Sequence, residues 1–318
     1  MTHNNLQYTK QCLESIIGIT DYRPYELIVV DAHSTDGTVG YLSSKPEIRM
    51  IRLEKNYPYS YSLNRGIQAA KGEYLCFLNN DTIIFQPKWL RTLVECLNSD
   101  AGIGIVGPRL CNQDFSVTRT LGRKLTEGNQ LPRYILPDRN HVPIWSPDNT
   151  ETPCTYIVGA CFVIKRQLKD SIGLFDEGFF FAYDETDYCV RTWKAGKRVV
   201  CNTWASVVHL GSKTIKTATE KDYEYDIYGY EDPETRFYRK HTSKDFEMVL
   251  RQAKGPVRFY VWKIQYNTHR FLGLIRQGIA TIREKGFKVF LSRMIYYLLH
   301  GTANRCKEGT RAEKPALS

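Results

Sequence analysis

The 318-residue sequence has no Cys-x-x-Cys spacing, no Gly-x-x-x-x-Gly-Lys-Ser/Thr loop and no internal repeat. No charge-free apolar run approaches the ~18 residues that span a bilayer. These absences exclude a zinc ribbon or redox dithiol, a P-loop NTPase, a solenoid and a multi-span membrane protein. Nine cysteines are scattered, several within apolar runs such as Tyr74-Leu-Cys-Phe-Leu78, where a thiol acts as a small buried hydrophobe. Together with the absence of a secretory signal at the start, they predict a reducing, cytoplasmic setting.

Net charge is also absent from most of the chain. Of 44 Lys+Arg and 34 Asp+Glu, 13 and 3 fall between Lys254 and Ser318, which leaves 31 of each sign before them. The whole formal excess of +10 therefore lies in the C-terminal fifth. A charge-balanced main domain argues against a nucleic-acid partner, which would need a basic face. The remaining composition, 42% hydrophobic and 25% charged with a mean hydropathy of −0.41, is that of a globular protein.

Helical and strand patterns alternate through the first half. Leu6–Ile17, Tyr61–Lys71 and Pro87–Leu97 have apolar residues at helical spacing. Glu26–Asp31, Arg49–Leu53, Glu73–Leu78 and Gly104–Gly107 are short apolar runs. This rhythm predicts an α/β fold with a mostly parallel sheet and helices on both faces, with ligands at the carboxyl ends of the strands. Residues 112–153 read as an irregular insertion and Cys154–Lys165 as a further strand.

Four polar clusters lie where such ligands bind. Asp31-Ala-His-Ser-Thr-Asp-Gly-Thr38 suits contacts to a nucleoside, or equally an Asx-turn with a helix cap. In Leu78-Asn-Asn-Asp-Thr82, Asn79 and Asp81 point to one side of an extended chain. That pair suits Mg²⁺ or Mn²⁺, which take few protein ligands; a plain turn is the alternative. Asp184, Glu185 and Asp187 follow an aromatic run, where they can cap a helix or supply a general base. Arg191 falls one turn after Asp187 and can pair back to it. His209 ends an apolar run, as a metal ligand or a structural hydrogen-bonder.

In order, Asp31…Ser-Thr-Asp-Gly-Thr38, Asn64-Arg-Gly66…Ala70-Lys-Gly-Glu-Tyr74, Leu78–Thr82, Gly159-Ala-Cys161, Gly173–Glu177, Asp184–Asp187 and His209 resemble family 2 glycosyltransferases, in their rhamnosyltransferase-like branch. The resemblance covers about residues 2–241. It implies a GT-A fold and an inverting transfer from a nucleoside-diphosphate sugar to a glycan or lipid-linked saccharide. Asp31, Ser34, Asp36, Asn64, Asn79, Asp81, Gly159 and Ala160 would then bind the donor. Asp81, Asn79 and His209 would hold Mg²⁺ or Mn²⁺, and Glu185, with Asp184 and Asp187, would form the catalytic acid cluster. A nucleotidyltransferase on a related fold and an inactive nucleotide-sugar-binding module are the competing readings.

Two positions depart from the family pattern. Ala32-His33 stands where the family carries a further polar group and a glycine. The family would also place a strand ahead of Thr2, where this sequence has Met1, so a truncated start or a fragment is expected. Beyond residue 241, apolar stripes at helical spacing accompanied by Arg and Lys mark a basic amphipathic segment, 242–300. It suits an anionic membrane surface, through residues 256–300, or docking on another protein face. Residues 301–318 read as a polar tail.

Overall fold

The computed structural model describes residues 1–111, 151–211 and 230–253. The insertion read at 112–153 lies largely outside these residues, and the amphipathic stripes and the polar tail lie wholly outside them. The chain divides into two compact units, Met1–Gly255 and Pro256–Ser318, and every described residue belongs to the first.

The described elements of that unit are α1 (Leu6–Ile19), β1 (Leu27–Asp31), α2 (Thr38–Ser43), β2 (Ile48–Arg52), α3 (Tyr59–Ala69), β3 (Tyr74–Leu78), β4 (Thr82–Ile83), α4 (Trp89–Ser99) and β5 (Ile103–Cys111). Then come β6 (Glu151–Pro153), β7 (Cys161–Lys165), α5 (Leu168–Ile172), α6 (Asp184–Lys194), β8 (Arg198–His209), α7 (Pro233–Lys240) and α8 (Ser243–Ala253).

β1 and β2 pair in parallel as one sheet. The other sheet runs β3-β7-β5-β8-β4, with β6 on β8. It is mixed rather than mostly parallel: β5 and β8 are parallel, while β7 runs antiparallel to both β3 and β5. The helix-strand rhythm breaks after β5. β7 pairs on the other side of β5 from β8, and its direction is set by that antiparallel pairing and not by the helix-strand rhythm of the first half.

Alternation along the strands builds two cores. Ile105, Phe162, Ile164 and Val199 face Leu63 and Ile67 of α3 and Tyr188 and Trp193 of α6. Their neighbours Val106, Val163 and Val200 face α4 through Leu93 and Leu97, and α1 through Ile16. Burial on both faces makes β5 a continuous buried run, all nine residues of it. Of the stretch read as a strand from Cys154, only Cys161–Lys165 is one; Cys154–Ala160 passes over the core as an irregular strap.

α7 starts at Asp232, whose carboxylate accepts from the Thr235 amide at 2.8 Å with Pro233 in the first turn. α8 follows almost at once, and its Phe246 and Val249 are buried with Phe237 in the α6 core. The compact unit therefore runs past residue 241. No helix among the described residues is long and apolar enough to cross a membrane.

Candidate active site

The β1 carboxyl end and the N-terminal residues form one hydrogen-bonded corner. Asp31 is fully buried; its Oδ2 accepts from the Ser34 amide at 3.1 Å, and its Oδ1 has no partner. A buried carboxylate oxygen without a donor costs free energy unless a ligand supplies one. His33 takes a left-handed φ of +64°, which accounts for a glycine preference at that position. Ser34 and Asp36 are turned to structural work. Ser34 Oγ accepts from the Asn4 amide at 2.7 Å. Asp36 accepts from the Leu6 amide at 2.9 Å and from the Thr38 hydroxyl at 2.6 Å, and so serves the starts of both α1 and α2. Burial alone would push the Asp36 carboxyl up, but those donors hold it below its ordinary value.

The second corner lies at the ends of β3, β4 and β8. Thr82 pairs with His209 across β4 and β8, and the Leu210 amide donates to the Asp81 carbonyl at 2.9 Å. The register brings His209 Nε2 to 3.3 Å from Asp81 Oδ1, with the Asp81 side chain only 6% exposed. Asn79 is held from two sides. Its amide donates to the Ala160 carbonyl at 3.0 Å, and its Oδ1 accepts from the Tyr59 hydroxyl at 2.7 Å. Among the described residues no group of three or more His, Cys, Asp or Glu assembles as a cage. Asp81 and His209, with Asn79 two residues before Asp81, offer one carboxylate, one imidazole and one amide, a donor set that suits a hard divalent ion keeping water and phosphate oxygens as its other ligands.

The third component is the first turn of α6. Ala182 and Tyr183 both have left-handed φ values, +66° and +65°, which reverse the chain so that Asp184 and Glu185 open the helix. Left-handed backbone costs roughly 1–2 kcal/mol for each non-glycine residue. Burial of Phe179 and of Tyr183 against Phe237, ring centroids 5.1 Å apart, offsets that strain. A side chain at Gly159 would be in contact with Glu185, its Cβ 3.5 Å from the Cβ and Cγ of the acid. The strap thus sets Gly159 beside Glu185, while the carbonyl of the next residue, Ala160, accepts from the Asn79 amide.

Tyr59, which nothing in the sequence singles out, ties these parts together. Burial raises its phenol pKa well above the ordinary value, and the charges of Asp184, Glu185 and Asp81 add to the rise. One hydroxyl therefore lies within electrostatic reach of Asp81 in the second corner and of the two acids that open α6. It sits at the start of α3, where its amide donates to the Phe180 carbonyl at 3.1 Å.

Two further expected site residues stay outside this group. Asn64 is buried and used as a clamp: its side chain accepts from the Phe175 amide at 3.0 Å and donates to the Phe175 carbonyl at 3.0 Å and Glu177 at 2.8 Å. Asp187 is fully buried and saturated by Arg191 (2.8 Å), Lys240 (2.8 Å) and His241 (2.8 Å). A carboxylate held by three basic groups is a poor proton acceptor. Its place is to fasten α6 to α7.

Residues 1–173 match the family model described as Glycosyl transferase family 2, and the chain belongs to that family. It is 28% identical over 229 residues to the O-antigen biosynthesis protein RfbC of Myxococcus xanthus, covering 69% of this chain and 18% of that protein. It is 24% identical over 220 residues to the N-acetylglucosaminyl-diphospho-decaprenol L-rhamnosyltransferase of Mycobacterium tuberculosis, covering 61% and 69%. A crystal structure of GalNAc-T7 with UDP, GalNAc and Mn2+ superposes with a TM-score of 0.53 at 16% identity, covering 85% of this chain and 57% of the other. The fold is thus of the GT-A type. The chain spans about a fifth of the length of the first curated relatives it matches, 23% and 18%.

Proposed function

We propose that the chain transfers a glycosyl group, with inversion, from a nucleoside-diphosphate sugar to a hydroxyl of a glycan or lipid-linked saccharide. The observation that carries the reading is the Asp81–His209 pair, 3.3 Å apart, at strand ends beside the Asn79–Tyr59 hydrogen bond. The names of the relatives, one for O-antigen biosynthesis and one for rhamnosyl transfer to a diphospho-decaprenol saccharide, support the acceptor class.

Asp31 Oδ1 accepts a hydroxyl or amide proton of the nucleoside. Asp81, His209 and Asn79 would hold Mg²⁺ or Mn²⁺, which would supply positive charge against the leaving diphosphate. Glu185 takes the proton of the acceptor hydroxyl as that oxygen bonds to the anomeric carbon. The bond from that carbon to the diphosphate oxygen breaks, and the electron pair departs with the nucleoside diphosphate. Attack from the face opposite the leaving group inverts the centre. Asp184 adds negative charge near the developing cation of the sugar ring. Ser34, Asp36, Asn64 and Asp187 position these groups through their hydrogen bonds and ion pairs.

The test is a nucleotide-binding and turnover panel with Mg²⁺ or Mn²⁺. Wild type is expected to bind a nucleoside diphosphate only with the ion present. Asp81→Ala should lose that binding, whereas Glu185→Gln should keep it and lose turnover. Binding that ignores the ion, or no binding at all, overturns the proposal.

A further inference from the structure

The stretch that aims Glu185 runs from Asp176 to the left-handed pair Ala182 and Tyr183, and α6 carries it on to Asp187. Its middle is fastened to α3. The Ser60 hydroxyl donates to the Phe179 carbonyl at 2.8 Å, and the Tyr59 amide donates to the Phe180 carbonyl at 3.1 Å. Its two ends are fastened to α7.

Lys240, the last residue of α7, holds both ends at once. Its Nζ lies 2.8 Å from Asp176 Oδ2 and 2.8 Å from Asp187 Oδ1. Each carboxylate also has partners of its own. Asp176 Oδ1 accepts from Arg236 Nη2 at 2.7 Å and from the Gly178 amide at 3.0 Å. The Arg236 guanidinium packs so closely on Gly178 that a methyl group there would overlap it. Asp187 Oδ2 accepts from Arg191 Nε at 2.8 Å, and His241 Nε2 lies 2.8 Å from Asp187 Oδ1. Among the described residues, only Lys240 touches both carboxylates.

Arg236, Arg191 and His241 pair the charges one by one, so loss of the Lys240 ammonium strands neither carboxylate. What it removes is the link between them, and the two like charges that Lys240 draws together then repel. Movement at Asp187 passes directly to the strained pair, because the Asp187 amide donates to the Tyr183 carbonyl at 2.8 Å. A left-handed conformation at two non-glycine residues persists only where its surroundings hold it.

We propose that Lys240 is a positioning residue for glycosyl transfer: by bridging Asp176 and Asp187 it cinches the stretch between them and fixes the direction in which Glu185 points. Its contacts are with those two carboxylates and with the Phe179 ring, 5.8 Å from its Nζ. None of them is with Asp31, Asn79, Asp81 or His209, so its effect falls on turnover and not on nucleotide affinity. A displacement of about 1 Å at a reacting group costs up to about a hundredfold in rate. The inference rests on the reading of Glu185 as the base.

The experiment compares the full chain with Lys240→Met, which keeps the length of the side chain, and Lys240→Arg, which keeps its charge. It reads kcat on UDP- and GDP-sugars with Mn²⁺, affinity for the matching nucleoside diphosphate, and hydrogen exchange at the Asp187 amide. Lys240→Met is expected to lower kcat by about tenfold or more while nucleotide affinity stays within about twofold. It is also expected to speed exchange at the Asp187 amide by about tenfold. Lys240→Arg is expected to recover most of both losses. An unchanged kcat, an equal fall in nucleotide affinity, or no recovery with arginine overturns the proposal. The exchange measurement needs no sugar, and unchanged exchange overturns the proposal whatever the turnover. A wild-type chain without turnover overturns the glycosyl-transfer reading instead; faster exchange in Lys240→Met then still supports the cinch.

Discussion

The Tyr59 hydroxyl donates a 2.7 Å hydrogen bond to Asn79 Oδ1 while lying within the electrostatic field of Asp81, Asp184 and Glu185. Because burial and then those charges raise its pKa, the phenol stays protonated wherever the acids are ionised, and it remains a donor. Tyr59→Phe keeps the ring packing and removes only the donor. A lost hydrogen bond of this kind is worth about 1 kcal/mol, or roughly fivefold in an equilibrium constant. The expected result is a several-fold weaker metal-dependent nucleotide affinity with a Tm close to wild type, read by titration calorimetry and thermal melting.

Asp187 carries the opposite expectation. Removing one member of a buried ion-pair network leaves the others uncompensated, and Asp187→Ala should cost about 3–5 kcal/mol of stability. Chemical denaturation checks this. Nucleotide binding by the folded fraction should survive, because Arg191, Lys240 and His241 lead away from the donor corner.

The same network sets an acid limit. Burial alone would raise Asp187 and Asp176, but both carboxyls are held below their ordinary range. Asp187 is held down by the His241 hydrogen bond and the charges of Arg191 and Lys240, and Asp176 by Arg236 and Lys240. A carboxyl depressed in the folded state contributes stability above its unfolded pKa of about 4, and that contribution is lost as pH falls through the folded pKa. The urea midpoint should hold from pH 7 to about 5 and fall steeply below about 4. Asp187→Asn should flatten that fall.

Asp31 and Asp36 lie in one turn and should separate cleanly. Asp36→Ala removes acceptors for the amides that start two helices and is expected to cost about 1–2 kcal/mol, with nucleotide affinity little changed. Asp31→Ala should weaken nucleotide binding by about tenfold or more, as expected for loss of a charged hydrogen-bond partner. Melting curves paired with binding titrations distinguish the two.

Gly107 lies beneath the strap that carries Gly159. A methyl group there would come within 2.6 Å of Ile157 Cγ2 and 3.3 Å of the Cys161 carbonyl. Gly107→Ala should destabilise by about 1–3 kcal/mol and displace the strap, which lowers turnover more than nucleotide affinity.

Much of this was legible in the residues. The α1 pattern read at Leu6–Ile17 is a helix over Leu6–Ile19, and the strands read at Glu26–Asp31 and Glu73–Leu78 are strands over Leu27–Asp31 and Tyr74–Leu78. Local periodicity sets those elements, so sequence alone reaches them. The Arg191–Asp187 pair follows from helical spacing in the same way. The antiparallel entry of β7 was not legible, because periodicity carries no strand direction. Nor was the burial of Asp187: its partner His241 is 54 residues away, and only the fold brings them together. Tyr59 shows the same limit. A tyrosine at a helix start has no distinguishing signal until Asn79, 20 residues on, arrives opposite its hydroxyl. The bonds from the Asn4 amide to Ser34 and from the Leu6 amide to Asp36 were not legible either, since each joins residues 30 apart.

The paired left-handed residues Ala182 and Tyr183 make the calibration of the site remote from its chemistry. Their conformation is kept by rings packed on the far side of the core, where Tyr183 meets Phe237 of α7. Drift at that hydrophobic seam would re-aim Asp184 and Glu185 without altering any residue that touches a ligand. Tuning of this site by selection or by design can therefore proceed from the α7 face, leaving its polar residues untouched.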